Sequence, residues 1–186
     1  MLTVDAPLAT DRLLLRPFRR DDVDALYDLR SRPEVLRYLY WPPATRDGVR
    51  DVVAQRLTMT TLAADGDFLV LAVELRSTGR LIGEVDLSLT STEHGHGEIG
   101  AILHPDAQGH GYASEAVAAL LDLAFDVLGL HRVTAQTNAG NEASTRAMLR
   151  LGMRQEGHLR QCVAFGGEWH DELLFAILAD EWTARR

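Results

Sequence analysis

Between a strand-like stretch and the most apolar helix-like stretch of the chain stands Gln108-Gly109-His110-Gly111-Tyr112-Ala113, and no other segment constrains the fold as much. Two glycines one residue apart permit backbone conformations that other residues avoid, and they let the chain approach a ligand closely. A helix starting directly after them presents unpaired N–H groups and the positive end of its dipole. Loop and helix start together predict an anion site, most simply for a phosphate. The preceding 98–103 has strand character, and 114–128 is apolar except for one polar stripe of Glu115, Asp122 and Asp126. Such a helix is buried on more than one side, with Gly129 placed to end it.

A dinucleotide fingerprint would want a third glycine where Ser114 stands, at the start of a parallel βαβ unit. Instead 68–74, 81–89 and 98–103 read as an antiparallel meander, the first two joined by Ser77-Thr78-Gly79. All 19 basic residues are arginine, which excludes a Walker-type loop, a Schiff base and a lysine nucleophile. The pattern of the loop alone leaves open a plain strand-to-helix turn.

The remaining chain alternates in the same regular way. A strand over 10–18 leads to a helix capped at Asp21-Asp22 and broken by Pro33. The loop 33–45 concentrates Tyr38, Tyr40 and Trp41 in a chain only 6% aromatic. A helix is expected over 45–64, a strand over 131–137, and a helix over 141–151 capped by Asn141 and stopped by Gly152. Strands over 154–165 and 169–178 close the chain as a hairpin around Gly166-Gly167. The order β-α-α-β-β-β-α-β-α-β-β in 186 residues, 46% of them hydrophobic, predicts one α/β (α+β) domain over 1–186.

Composition narrows the function classes. No apolar run reaches membrane-spanning length, and no secretory signal is evident at the N-terminus. A net charge of −8 argues against a nucleic-acid surface and would suit a cationic substrate. Cys162 is the one cysteine, so the expectation is a cytoplasmic protein without disulfides. His94-x-His96 lacks a third ligand nearby, and no metal site is expected.

QGHGYA fits the pattern Gln/Arg-x-x-Gly-x-Gly/Ala and resembles the pyrophosphate loop of the GNAT N-acetyltransferase superfamily. The flanks look like its RimJ/RimL-like branch, the ribosomal-protein N-terminal acetyltransferases. TDRLLLRPF, GEVDL, EIGAILHPDAQGHGYASEA, NAGNEASTRAMLRLGM and HLRQCVAFGGEWHDELLFAI carry the resemblance, with Met153 where the family has Phe. It implies a mixed, mostly antiparallel sheet splayed at a central V, helices on both faces, and acetyl-CoA bound in the V.

The resemblance also implies roles. The loop amides of Gly109, His110, Gly111, Tyr112 and Ala113, with Gln108, would neutralise the CoA pyrophosphate. The backbone of Ile102, Leu103 and His104 would pair with the pantetheine and supply an oxyanion donor, and Asn138 and Asn141 would lie near it. For Asn141 a plain helix cap is the alternative. Glu98 is the first candidate for the base, partly desolvated beside the acyl site, and Glu84 the second. The tyrosine that many members place in the helix after the asparagines is Met148 here, and a carboxylate of the closing hairpin is Val163, which leaves Ser144 as the proton donor to the departing thiolate. Tyr38, Tyr40 and Trp41 fall where the branch forms part of its acceptor cleft. The acceptor would be a primary amine, on a protein N-terminus or a small molecule, attacking the thioester directly; an antibiotic or amino acid is an alternative acceptor. A covalent Cys162 intermediate and a non-catalytic acyl-CoA sensor are the rival readings, and a homodimer is an assembly the resemblance allows.

Overall fold

The apolar alternations over 68–103 become the centre of an eight-stranded sheet in the computed structural model, which describes residues 1–185. The chain runs through β1 (Leu2–Thr3), β2 (Leu8–Ala9), β3 (Leu13–Arg16), α1 (Val23–Arg30), α2 (Pro33–Leu36), α3 (Arg46–Arg56), β4 (Thr61–Leu62), β5 (Phe68–Leu75), β6 (Leu81–Ser91) and β7 (His96–Leu103). Then follow α4 (Tyr112–Asp122), β8 (Arg132–Asn138), α5 (Glu142–Arg150), β9 (Arg154–Phe165), β10 (Glu168–Leu178) and α6 (Ala179–Thr183). The sheet order is β2-β3-β5-β6-β7-β8-β10-β9, and β1 pairs with β4 in a separate ribbon.

Every pairing in the large sheet is antiparallel except β7 with β8. That parallel contact joins only His96, Gly97 and Glu98 to Arg132, Val133 and Thr134. Beyond Glu98 the two strands part, β7 staying with β6 and β8 with β10. The sheet therefore opens as a wedge at its middle.

Alternating side chains fill a core on each face of the sheet. On one face Leu13, Leu15, Leu71, Val85, Leu87 and Phe175 pack with Leu120 and Leu121 of α4. On the other, Val70 and Ala72 pack with Leu26 and Leu29 of α1 and Val49 and Val53 of α3. Helices on both faces of a mostly antiparallel sheet agree with the expected class.

Element ends differ from the sequence reading for local reasons. The expected helix over 45–64 stops at Arg56, because Thr61–Leu62 pairs with Leu2–Thr3 and Thr60 O accepts from Val4 N–H at 2.9 Å. Pro33 does end α1, but it also begins α2 from the first helical position, where its missing N–H costs nothing. The helix after the loop begins at Tyr112 rather than 114, and its last turn, Leu123–Val127, widens into a π-turn in which Leu128 N–H donates to Leu123 O at 3.0 Å. The first strand contracts from 10–18 to Leu13–Arg16.

Candidate active site

The loop ahead of α4 is shaped by its glycines. Gly109 and Gly111 have φ of +79° and +82°, and a side chain at Gly109 would meet nothing within 4 Å. Their need is for left-handed backbone, not for space. Gly111 is the residue before the first turn of α4, and no side chain caps that turn. The amides of Tyr112, Ala113 and Ser114 thus point out of an exposed loop with the helix dipole behind them. Ser114 Oγ, and Thr145 Oγ1 on α5, are buried without a hydrogen-bond partner. An uncapped helix start offers N–H donors and a positive dipole end to an anion such as a phosphate.

Arg12 completes this end, and nothing in the sequence singled it out. Its Nη1 donates to His110 O at 3.0 Å, its guanidinium lies 4.6 Å from the centre of the Tyr112 ring, and Glu115 Oε2 accepts from Nε at 2.7 Å. His110 gives its carbonyl to this brace, while its ring stacks on Tyr112 and its Nδ1 meets Gln108 O at 2.8 Å. Gln108 works within the loop as well, Nε2 donating to Leu103 O at 3.1 Å.

The edge of β7 corrects one expectation. His104 N–H donates to Ile82 O at 2.8 Å, so by antiparallel alternation Ile102 and His104 turn their backbone toward β6. The amides facing the wedge are those of Ala101 and Leu103. Of the three residues expected to line the pantetheine with backbone, only Leu103 is oriented for it, and Ala101 is the member the sequence reading missed. The buried His104 side chain instead ties β7 to α1, with Nε2 at 3.1 Å from Asp28 Oδ2.

On the α1/α3 side of the sheet, register gathers carboxylates. Glu84, Asp86 and Ser88 of β6 stand opposite Ile102, Gly100 and Glu98 of β7. Glu84, expected as the second base, is 2% exposed and held by Arg30 Nη2 at 2.6 Å and Arg56 Nε at 3.5 Å. Both arginines pair with its carboxylate, which corrects its assignment as a base. Glu98 is the last β7 residue paired to β8, and no ion pair among the described residues engages it. Burial, with Glu172 adding, pushes its carboxyl above the usual range. Asp86 has neither an ion pair nor a hydrogen bond among the described residues; burial and Glu84 raise it, Arg56 opposes, and Glu98 raises it further, to about 6. Asp86 and Glu172 were missed; the two-residue spacing of Glu84 and Asp86 in one strand was the available signal for the first.

The aromatic loop closes over the wedge from α2. Tyr40 OH accepts from Asn138 Nδ2 at 3.2 Å, and its ring meets Phe165 and His170 of the closing hairpin. Burial, with Glu172 adding and Asn138 opposing, holds the Tyr40 phenol above its usual range. Trp41 lies under the guanidinium of Arg30 at 4.3 Å, and Tyr38 approaches Gly140, where a side chain would be 3.5 Å from its ring. Asn138 Oδ1 also accepts from Gly140 N–H at 2.8 Å. Asn141 Oδ1 caps α5 by accepting from Ser144 N–H at 3.1 Å, the plain role foreseen for it, and among the described residues its Nδ2 and the half-buried Ser144 hydroxyl have no hydrogen-bond partner. The structure thus brings Tyr40, Asn138 and Glu172 to the end of β8 and leaves Glu98 at the fork of the wedge.

Among the described residues no group of three or more His, Cys, Asp or Glu is placed to hold a metal, and no helix is long and apolar enough to cross a membrane.

Comparison with known proteins agrees with this geometry. The family model for an acetyltransferase (GNAT) domain matches residues 12–154. The uncharacterized N-acetyltransferase YnaD of Bacillus subtilis (strain 168) is 35% identical over 177 residues, spanning 95% of this chain and 99% of that protein. The spermidine N(1)-acetyltransferase of Vibrio cholerae is 24% identical over 94% of this chain and 97% of its own length. Among solved structures, a GNAT-family acetyltransferase from Bacillus anthracis superposes with a TM-score of 0.83 at 32% identity, covering 94% of this chain and 99% of that one. A fingerprint loop before an uncapped helix, a sheet split at its middle and a family model over most of the chain converge: the protein belongs to the GNAT acetyltransferase family.

Proposed function

We propose that this cytoplasmic, single-domain chain transfers an acetyl group from acetyl-CoA to a primary amine by direct attack in a ternary complex, and that the amine carries further positive charge. The observation supporting the acceptor class is that Asp86, Glu98 and Glu172 project on one side of the sheet and none of the ion pairs among the described residues includes them. Unneutralised carboxylates with the Tyr40 ring beside Glu172 suit a polycationic amine, of the kind spermidine is for the Vibrio relative. The likeness to the RimJ/RimL-like branch would instead direct the enzyme to a protein N-terminus, which offers a single positive charge at the reacting end.

Bound acetyl-CoA supplies an acyl group activated as a thioester. The first-turn amides of α4 and the Arg12 brace hold its phosphates, which is how an acidic, lysine-free protein grips a polyanion. Ala101 and Leu103 offer amides along the wedge, one of them the donor to the developing oxyanion. Asn138 and the free Nδ2 of Asn141 border the pantetheine. Ser144 gives its proton to the leaving sulfur. Glu98 accepts the amine proton or passes it on, its raised pKa bringing it toward neutral pH.

A covalent relay through Cys162 is not favoured. Its Sγ has the His170 carbonyl at 3.7 Å and Glu172 Oε2 at 3.9 Å as neighbours, and neither is a base positioned as an activating imidazole would be.

The test is a thiol-release screen with polyamines, N-terminal peptides, aminoglycosides and free amino acids. Polyamines should exceed neutral N-terminal peptides in kcat/KM by on the order of 100-fold, the worth of about two added ionic contacts. Preference for a neutral peptide N-terminus would overturn the acceptor class. CoA binding with no turnover on any amine would favour a sensor.

A further inference from the structure

We propose that Asp86 is the group that takes the proton from the acceptor ammonium, with Glu98 beside it as the exit toward solvent. The inference rests on the acetyltransferase reading above and goes beyond it by naming the residue at the reacting nitrogen.

Gly100 leaves room for the Asp86 carboxylate. Asp86 stands directly opposite Gly100, and a Cβ built at Gly100 would lie 2.7 Å from Asp86 Oδ1 and 3.1 Å from Oδ2. The carboxylate therefore lies across the β7 backbone in the space that glycine vacates. Gly100 is two residues past Glu98, where β7 leaves β8, and one residue before Ala101, whose amide faces the wedge. The carboxylate sits beside the first free stretch of the split.

Its surroundings separate it from Glu84 on the same strand and face. Arg30 of α1 and Arg56 of α3 are both committed to Glu84. Asp86 is left with Glu84, Arg56 and Glu98 as the charges that face it, none of them in an ion pair with it among the described residues, and Glu98 in turn faces Glu172 of β10. A carboxylate kept for structure is normally paired when it is this enclosed. An enclosed, unpaired one with its pKa raised to about 6 is ionised at neutral pH yet close enough to it to exchange a proton readily.

The protons balance. The ammonium R–NH3+ gives one proton to the Asp86 carboxylate and becomes R–NH2. Its lone pair forms the N–C bond to the acetyl carbon as the C–S bond breaks. The nitrogen then loses a second proton, which ends on the sulfur of CoA. Asp86 returns its own proton through Glu98 to solvent.

The experiment compares wild type, Asp86→Asn, Gly100→Ala and Glu98→Gln with a polyamine acceptor. Asp86→Asn should lower kcat at least about 100-fold, abolish the acid limb of the pH–rate profile near pH 6, and leave the Kd for CoA within about two-fold. Gly100→Ala keeps the carboxylate but pushes it aside, and should cost about ten-fold or more with CoA affinity retained. Glu98→Gln should move the acid limb to lower pH, because it removes a negative neighbour. In the cofactor-free protein, carboxyl-carbon NMR should show one aspartate titrating near pH 6 that disappears in Asp86→Asn. A folded Asp86→Asn protein with wild-type kcat and pH profile overturns the assignment, as does a rate loss matched by an equal loss of CoA affinity. A wild type that binds CoA but acetylates no amine overturns the acetyltransferase reading itself.

Discussion

The two ends of the wedge are built from different materials. At the loop, residues 105–115, binding is a property of backbone: two positive-φ glycines, an uncapped helix and one arginine brace. On the carboxylate face, spanning Glu84, Asp86, Glu98 and Glu172, it is a property of side chains brought together by strand register from three strands. A backbone site tolerates many side-chain changes but not a change of φ. A side-chain site depends on single groups and on which of them an arginine has already neutralised.

The sharpest way to break the comparison is Gly111→Val. A β-branched residue at φ +82° is strained, and the loop should lose its shape while the sheet remains intact. Calorimetry should show CoA affinity falling by about 100-fold or more, consistent with the ~3 kcal/mol upper range for one such backbone conformation. Unchanged affinity would mean that the loop is only a turn.

Glu84→Gln tests the opposite end. It leaves the buried Arg30 and the partly buried Arg56 with no carboxylate partner, and chemical denaturation should report a loss of about 3–5 kcal/mol. A loss under about 1 kcal/mol, the size of an exposed pair, would mean that Glu84 is free enough to serve as a base.

Asp86→Asn should act in the other direction on stability. The folded state raises this carboxyl from 3.8 to about 6, so it favours the protonated form. Below about pH 4 both states are protonated and the wild type bears no penalty. As pH rises to about 6 and beyond, the wild type must keep an ionised, enclosed carboxylate, and its stability falls. The variant should therefore match wild type at pH 4 and exceed it at pH 7, by at most about 3 kcal/mol. A melting difference that does not vary with pH would show that Asp86 is solvated and ordinary.

Arg12→Gln removes the brace without touching a loop amide. CoA affinity should drop about 5–10-fold, less at high salt, as fits one partly exposed charged contact. Cys162→Ser should be the smallest change of all, leaving kcat within about two-fold, since the thiol has no activating partner.

Much of the architecture was legible because its signals are local. Period-two apolar runs marked the meander, Gly129 and Gly152 marked helix ends, and Asn141 marked a cap that the structure confirms. Helix length between 45 and 64 was misread because Val49, Val52 and Val53 continue smoothly in pattern into Leu57 and Leu62. Thr61 and Leu62, paired with β1 from far along the chain, decide where the helix stops.

The backbone shape of 105–115 follows from local chemistry, because glycine sets φ and φ sets where amides point; only the Arg12 brace arrives from far along the chain. Which carboxylate is free was decided only by the tertiary structure. Glu84 and Asp86 are two residues apart on one strand and one face, with nothing local to tell them apart. Arg30 and Arg56 arrive from helices 54 and 28 positions away and choose Glu84, while Gly100 on the neighbouring strand leaves room for Asp86. Charge acts through space, and the space between those residues exists only after the chain has folded.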